Sequence, residues 1–339
     1  MDVGLRISAV AVLTTVSLLT FQAYSQEKLP VGDDPETKTL PVNLPQWPYP
    51  PDPPPGRPKP QDDDQPHHLP GSTRVFSMKE IEGSGAVDWF PESHPAAPAS
   101  VVDGKAGVYR ACGSCHLIDG RGKPDEQSLN GLPVTYMQQQ LEDMKNGLRQ
   151  SSVKQGGTIN MILVADAVPE TDAKEALEYF HSVGPVKWIR VVETEEVPKT
   201  TLGRHSLEIP DPSGTKEPIG NRILEVPENY ERTLLRDPTS GFVAYVPRGS
   251  LTKGEVLVKT GAHGRTVTCA TCHGTDLRGI GDTVPPIAGR SPTTTGRQLY
   301  DFKTGARHGK YSAAMTPVVE KLTDEDIVDI SAYLASLSQ

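Results

Sequence analysis

The four cysteines of this chain lie in two short motifs of the same form. CGSCH occupies Cys112–His116 and CATCH occupies residues 269–273, so in both motifs two residues separate the cysteines and a histidine follows directly. Because residues three and four apart share one face of a helix, such a motif can aim both sulfurs and the imidazole at one object. C-x-x-C-H is the attachment pattern of a c-type haem, in which the sulfurs bond the vinyl groups and the histidine binds the iron.

The motifs therefore predict two covalently bound c-type haems, one in each half of the chain. The attachment residues are Cys112, Cys115, Cys269 and Cys272, and the first iron ligands are His116 and His273. Three other uses of paired cysteines explain the sequence less well. A disulfide framework gives no reason for the histidines, a zinc ribbon places its pairs roughly 15 to 20 residues apart, and a thioredoxin-type pair is expected near a βαβ pattern.

Methionines are the candidates for the second ligand of each iron. Met315 follows the second motif in KYSAAMTPVVEKL, and Met161 follows the first motif in GGTINMILVADAV. Each stands the same number of residues before one of two aligned tyrosines, Tyr179 and Tyr333. This shared register favours Met161 and Met315 over Met144, whose counterpart in the second half is a phenylalanine. We expect histidine and methionine ligation at both irons.

The chain repeats itself around the motifs. Residues 131–149, GLPVTYMQQQLEDMKNGLR, align without a gap with residues 289–307, GRSPTTTGRQLYDFKTGAR, and both segments predict a helix that ends at a glycine. Near the end of each copy, apolar residues recur with the period of an amphipathic helix, and Thr323 is the predicted cap of the second of these helices. Arg149 and Arg307 follow the aligned glycines, and either bind haem carboxylates or favour the negative end of a helix dipole.

The segment between the two copies has a different pattern. KWIRVVETEEV, NRILEVPE and GFVAYVP are rich in β-branched residues and interrupted by proline or glycine, so they predict short strands. We expect this segment to be a connector that packs against both helical halves. Ahead of the second motif, SLTKGEVLVKTG predicts a long helix that the first half lacks.

The amino-terminal 25 residues predict a secretory signal, with Arg6, an apolar run at 7–21 and a small residue, Ser25, at the expected cleavage point. The run is shorter than the roughly 20 residues that span a bilayer, so cleavage is favoured over a retained membrane anchor. Twelve of the thirty residues in 41–70 are proline, which precludes a helix and favours an extended tether. These features predict a periplasmic protein, and its net charge of −9 argues against nucleic-acid binding.

Together these residues give the chain a clear resemblance to bacterial two-haem cytochromes c that are built from tandem class I domains. The resemblance rests on CGSCH and CATCH, on the LYDFKTG helix and its first-copy counterpart, on Met161 and Met315, and on the closing segments YFHSV and YLASL. It implies a mainly α fold in which helices surround each haem and leave one haem edge exposed. The expected segments are a signal peptide at 1–25, a disordered proline-rich tether at 26–75, cytochrome c domains at 76–183 and 250–339, and the connector at 184–249.

One position departs from the family pattern. The family often has P-x-L-x-G after the haem histidine, and the carbonyl of its proline fixes that histidine. Pro285, Ile287 and Gly289 follow this pattern, but the first copy has Gln127 in place of the proline. We therefore expect a different acceptor in the first copy, at Pro124.

Histidine and methionine together leave no open position on iron and raise its potential, which suits transfer of single electrons rather than peroxide chemistry. The sequence therefore predicts a periplasmic electron carrier and not an enzyme, with a protein donor and a protein acceptor such as a dehydrogenase, an oxidase or another cytochrome. Two alternatives stay open. One is a two-haem peroxidase, which needs one iron without its methionine; the other is the electron-transfer subunit of a membrane-associated dehydrogenase or oxidase, favoured by the tether and by a retained anchor.

Overall fold

The computed structural model describes Met1 and residues 44–50, 64–154 and 156–339. Asn43–Gln339 form one compact unit, to which all described residues except Met1 belong. The predicted signal peptide, beyond Met1, and most of the predicted tether therefore lie outside the described residues. None of the helices in the described part of the chain is long and apolar enough to cross a membrane.

The first half is mainly helical and surrounds the CGSCH motif. Its helices are α1 (Met78–Ile81), α2 (Ala99–Val102), α3 (Cys112–His116), α4 (Val134–Lys145), α5 (Gly156–Ala167) and α6 (Glu170–Val183). A short antiparallel pair, β1 (Gly104–Lys105) and β2 (Tyr109–Arg110), precedes the motif. Helices α2, α4 and α6 bury a shared core in which Val101, Met137 and Phe180 are almost fully enclosed.

The connector is built from short strands, as its β-branched segments predict. The strands are β3 (Ile189–Thr194), β4 (Glu196–Pro198), β5 (Thr200–Leu202), β6 (Glu208–Pro210), β7 (Lys216–Pro218), β8 (Leu224–Pro227) and β9 (Phe242–Pro247), with the helix α7 (Tyr230–Leu234) ahead of β9. A three-stranded sheet has the order β3-β9-β8, in which β3 runs parallel to β9 and β8 runs antiparallel to it. Two smaller antiparallel pairs join β4 to β7 and β5 to β6.

The second half is helical and carries the CATCH motif. Its helices are α8 (Ser250–Thr260), α9 (Ala270–His273), α10 (Pro292–Thr304), α11 (Thr316–Val319) and α12 (Asp324–Ser336), with a 3-10 turn at Ser312–Met315. Helix α12 packs against α8 and α10 on one side and against the connector sheet on the other, where Val328 and Ala332 are fully buried. The long helix predicted ahead of the second motif is α8, whereas the first half has only the one-turn helix α2 there.

Local sequence signals explain where the repeated helices begin and end. Thr323 forms a capping box with Asp326 at the start of α12, which confirms its predicted role. Helix α10 ends at Gly305, whose φ of 79° is in the left-handed region that favours glycine. Its counterpart α4 differs slightly, because Asn146 is the capping residue and Gly147, with φ 72°, comes one position later.

Two stretches of the predicted tether differ from the sequence expectation. Within 44–50, Tyr49 is 2% exposed, packs in the core of the second half and donates its hydroxyl hydrogen bond to Asp301 (2.8 Å). Within 64–75, Leu69 is buried in a small core with Trp89. The aromatic and aliphatic side chains among the prolines bury apolar area, and this outweighs the extended preference of proline at these points. The tether expectation is therefore wrong for these two stretches.

The two halves meet where the repeated helices end. The Gln150 N–H donates to the Ala306 carbonyl and the His308 N–H donates to the Leu148 carbonyl, both at 2.8 Å. The sequence repeat aligns Leu148 with Ala306 and Gln150 with His308, so the contact is the same in both directions. An internal two-fold axis therefore relates the two helical halves at this point.

Candidate functional site

A cavity of about 500 Å³ in the second half, which we call the second cavity, contains the predicted haem-binding residues of that half. Cys269 and Cys272 line it from the CATCH motif, His273 lines it from the end of α9, and Met315 lines it from the 3-10 turn. Met315 lies 42 residues after His273 in the sequence, and the fold brings it to the same space as the motif. Its volume lies within the range of about 300 to 1,000 Å³ typical of small-molecule and cofactor sites.

The orientation of His273 is set by a backbone hydrogen bond. Its Nδ1 lies 2.8 Å from the Pro285 carbonyl oxygen, as the family pattern implied. A carbonyl oxygen can only accept, so Nδ1 carries the proton and Nε2 keeps a lone pair that is available to a metal. Burial lowers the pKa of the His273 imidazole, which keeps the ring neutral as a metal ligand must be.

His116 is held in the same way, but not by the residue that we expected. Its Nδ1 donates to the Gln127 carbonyl at 2.7 Å, and not to Pro124. Gln127 is the counterpart of Pro285 in the repeat, and a backbone carbonyl at that position can serve with any side chain. The Pro124 expectation is therefore wrong. Burial lowers the pKa of His116 too, which favours a neutral imidazole with Nε2 free to bind a metal.

The first motif forms α3, with Cys112 and Cys115 half-buried and the His116 ring 6.4 Å from the ring of Phe180. Met161 lies half-buried on α5, which packs against α4 and β2. Met315 and His273 line one cavity, whereas Met161 and His116 are not among the residues that line it. Its role as an axial ligand rests on the aligned register.

Arg149 and Arg307, for which the sequence left two roles open, face each other across the contact between the halves. Each donates to the same two side chains, Gln140 and Gln298, over distances of 2.8 to 3.2 Å. Gln140 and Gln298 are themselves counterparts in the repeat, so the side-chain contacts follow the internal two-fold axis as the backbone contacts do. Burial and the neighbouring Arg307 lower the pKa of Arg149 to about 10.

A third arginine, Arg290, is 4% exposed and lines the second cavity together with Arg307. It donates to the Ser128 and Asn130 carbonyls of the first half, and its Nε has no partner in the described part of the chain. Burial lowers the pKa of Arg290 to about 10. Its counterpart in the first copy is Leu132, so the repeat offered no signal for it.

The charge of this cavity suits the two carboxylates that a c-type haem carries. Among the described residues, the hydrogen bonds of Arg149, Arg290 and Arg307 go to amide, carbonyl and hydroxyl oxygens, and none goes to a carboxylate. Asp143 also lines this cavity and, with Asp301, attracts Arg149, so the buried cations are already offset in part, and a bound carboxylate would offset the remaining cost. Burial alone would raise the pKa of Tyr136, but Arg307, Arg149 and Arg290 together lower it, which shows how strongly positive this region is. The residues present therefore fit a haem.

Comparison with known proteins agrees with this geometry. The family model for cytochrome c matches residues 252–338. Cytochrome c-554(548) of Halomonas halodenitrificans is 42% identical over 69 residues, which are 20% of this chain and 83% of that protein. Cytochrome c4 of Stutzerimonas stutzeri is 25% identical over 253 residues, which are 72% of this chain and 91% of that protein. The chain belongs to the bacterial two-haem cytochromes c.

A further relative is an electron-transfer protein whose name states its redox partner. The thiosulfate dehydrogenase electron acceptor of Stutzerimonas stutzeri strain A1501 is 23% identical over 233 residues, which are 68% of this chain and 80% of that protein. As a two-haem cytochrome c, the chain carries two covalently bound c-type haems and transfers electrons. The sequence predictions of the family and of its cofactors are thus confirmed.

Proposed function

We propose that this two-haem cytochrome c is a periplasmic carrier of single electrons in which one histidine and one methionine bind each iron. The observation that carries the proposal is the second cavity, where His273 and Met315 line the same space as both attachment cysteines. Haem bound there supplies an iron that takes up and releases one electron. His273 and Met315 would hold this iron as its two protein ligands, and the iron would then offer no open position to peroxide or oxygen.

For the first half we propose the same arrangement, with His116 and Met161 as axial ligands and Cys112 and Cys115 as attachment residues. The support is the equivalent hydrogen bond of the histidine to the residue at the aligned position, Gln127. Met161 and Met315 precede their aligned tyrosines by the same number of residues, and this supports Met161 as the second ligand.

We further propose a mainly α architecture of two tandem cytochrome c domains, at 76–183 and 250–339, with electrons passing between them. Gln127 supports this internal transfer, because its carbonyl holds His116 while the same residue lines the second cavity. Tyr136 and Leu132 of the first half also line that cavity. The first motif and the second cavity are therefore separated by few protein groups.

The partners that we propose are a dehydrogenase as electron donor and a second redox protein as acceptor. Two relatives are thiosulfate dehydrogenase electron acceptors, one from Stutzerimonas stutzeri and one from Thiomonas intermedia. The predicted signal at 1–25 and the covalent attachment of haem favour a location in the periplasm, because a covalently bound haem cannot diffuse away. A signal retained as an anchor would favour association with a membrane complex.

The test uses the purified, haem-loaded protein. We expect two haems by mass, two reversible one-electron transitions in a redox titration, and a sulfur-to-iron charge-transfer band from both oxidised haems. A high-spin haem in the resting protein, together with peroxide turnover, would contradict the carrier and favour the peroxidase alternative.

Methionine variants assign the ligands. Met315→Ala and Met161→Ala should each remove the charge-transfer band of one haem and lower the potential of that haem, because the thioether ligand is lost. Met144→Ala is the matched control, since Met144 lies on α4 and its counterpart is Phe302; both bands should persist. A Met161→Ala variant that keeps both bands would exclude Met161 as a ligand.

A further inference from the structure

The connector places an arginine of its own against the first haem-attachment motif. Arg236 lies two residues beyond the end of α7 and is 5% exposed. Its Nη1 donates a hydrogen bond to the carbonyl oxygen of Ser114, which lies between the two attachment cysteines of CGSCH. A connector side chain therefore contacts helix α3, which carries the first attachment motif.

The acidic side chains around Arg236 offset its charge only in part, because Glu82 and Glu126 attract it but form their ion pairs with other cations. Its neighbour Asp237 accepts from Arg232 and Thr239. Glu82 is 2.5 Å from the Arg204 guanidinium and also bonds His205. The Nε of Arg236 has no partner in the described part of the chain. An arginine side chain stays protonated even when buried, so Arg236 brings to the motif a positive charge that Glu82 and Glu126 offset only in part.

The position of Arg236 is fixed by a backbone conformation that few residues adopt. Its φ of 56° is in the left-handed region, which is uncommon for a residue other than glycine. The Arg236 N–H donates to the Thr233 carbonyl at 3.0 Å, and the Trp89 indole donates to the Leu235 carbonyl at 2.7 Å. Such a conformation persists only where the surroundings hold it, and it often marks a functional position.

The second motif is placed differently. The counterpart of Ser114 is Thr271, and Cys272 of that motif is exposed whereas Cys115 is half-buried. Water near an exposed motif screens neighbouring charges, while a buried charge acts through a medium of low dielectric constant. The charge of a connector side chain should therefore act more strongly at the first motif than at the second.

We propose that the buried charge of Arg236 raises the reduction potential of the first haem. This inference rests on the proposed electron-carrier function. The oxidised iron carries one more positive charge than the reduced iron, so a nearby buried cation destabilises the oxidised state. Loss of that cation should make the first haem harder to reduce.

The test is a redox titration of the full, haem-loaded protein and its variants. Arg236→Gln keeps a hydrogen-bond donor for Ser114 but removes the charge. We expect the equilibrium constant for reduction of the first haem to fall about tenfold, which is about 59 mV for one electron. The second haem should be unchanged. Proton resonances of each oxidised haem identify the first haem by its contacts with Phe180, which lies beside His116.

Three further variants make the result specific. Arg236→Lys keeps the charge and should retain most of the wild-type potential. Arg236→Asn also removes the charge, and asparagine tolerates the left-handed conformation, so this variant tests the proposal if Arg236→Gln does not take up haem. Arg110→Gln is the matched control, because Arg110 also donates to a carbonyl, that of Gly83, but is exposed beside the same motif; neither potential should change.

Unchanged potentials in both neutral variants, or equal shifts of both haems, would overturn the inference. An Arg236→Lys variant that behaves like Arg236→Gln would also overturn it, because the hydrogen bond and not the charge would then matter. These outcomes are separate from failure of the proposed function, which would appear as an open iron or as missing one-electron transitions in the wild-type protein.

Discussion

Glu225 is a carboxylate that the fold buries between the connector and the second half. It lies on β8 and is 5% exposed. Its Oε2 accepts from the Ser291 hydroxyl (2.8 Å) and from the Thr293 N–H (3.0 Å), while its Oε1 has no partner among the described residues. Burial raises the pKa of Glu225 above its ordinary value of 4.5, although the hydrogen bonds from Thr293 and Ser291 oppose this shift.

The raised pKa makes stability depend on pH in a definite direction. Between pH 4.5 and the higher pKa of the folded state, the folded protein holds a proton that the unfolded chain has lost, so its stability falls as pH rises through this window. We expect Glu225→Gln to increase the free energy of unfolding by about 1 kcal/mol at pH 7 and to change it little near pH 4. Denaturation across this pH range measures the effect.

The control for this prediction is Glu217→Gln. Glu217 forms a half-exposed ion pair with Arg222, and such pairs contribute only about 0 to 1 kcal/mol. It should not alter the slope of stability against pH. A Glu225→Gln variant that is less stable than the wild type at every pH would show that the charged carboxylate is needed.

Single residues also mark the limit of what the sequence can predict. The attachment cysteines and both histidines followed from two local motifs, because covalent chemistry fixes their spacing. Gln127 as acceptor was missed, because a backbone carbonyl leaves no trace in the residue type. Arg290 and Arg236 were missed because their partners lie in other parts of the fold, which no local pattern records.

Helices and strands were predicted more completely than individual contacts. The glycine that ends LYDFKTG, the cap at Thr323 and the β-branched segments of the connector all correspond to observed boundaries or strands. Composition was a poorer guide within the proline-rich segment, where Tyr49 and Leu69 are buried. A few large apolar side chains there decide the structure against the preference of their neighbours.

The crossing of α8 and α12 depends on a glycine. A Cβ atom at Gly254 would collide with the Asp329 carbonyl oxygen and with the Tyr333 Cβ on α12. Alanine is favoured over glycine in a helix by about 1 kcal/mol. We expect the steric cost of the clash to exceed this gain, because the backbone of α12 would have to move to relieve it. We expect Gly254→Ala to lower the free energy of unfolding by about 1 to 3 kcal/mol, as measured by chemical denaturation.

Val256→Ala on the same helix is the control for this crossing. Val256 is exposed, so its truncation should change stability by no more than about 0.5 kcal/mol. If Gly254→Ala proved as stable as the wild type, the close approach of the two helices would be refuted.

Across the whole molecule, the two copies of the repeat meet in a contact that follows the internal two-fold axis. The alignment of two copies predicted two similar halves, but an alignment does not say which faces meet. The faces that meet carry the arginines and glutamines at equivalent positions, so one set of residue types satisfies both sides. This explains why Arg149 and Arg307 could not be assigned from sequence: their partners lie partly in the other copy.

The two-fold contact makes a quantitative prediction for double-mutant cycles. Arg307 reaches Gln140 of the first half at 2.8 Å, and Arg149 reaches Gln298 of the second half at 3.2 Å. We expect both pairs to show favourable coupling of about 0.5 to 1.5 kcal/mol in the unfolding of the haem-loaded protein, since each pair is partly buried between the halves. The cycles use single and paired alanine variants. Gln140→Ala combined with Arg278→Ala, at an exposed arginine of the second half, should be additive. Zero coupling in both test pairs would mean that the halves do not meet through these side chains, while coupling in only one would break the proposed symmetry.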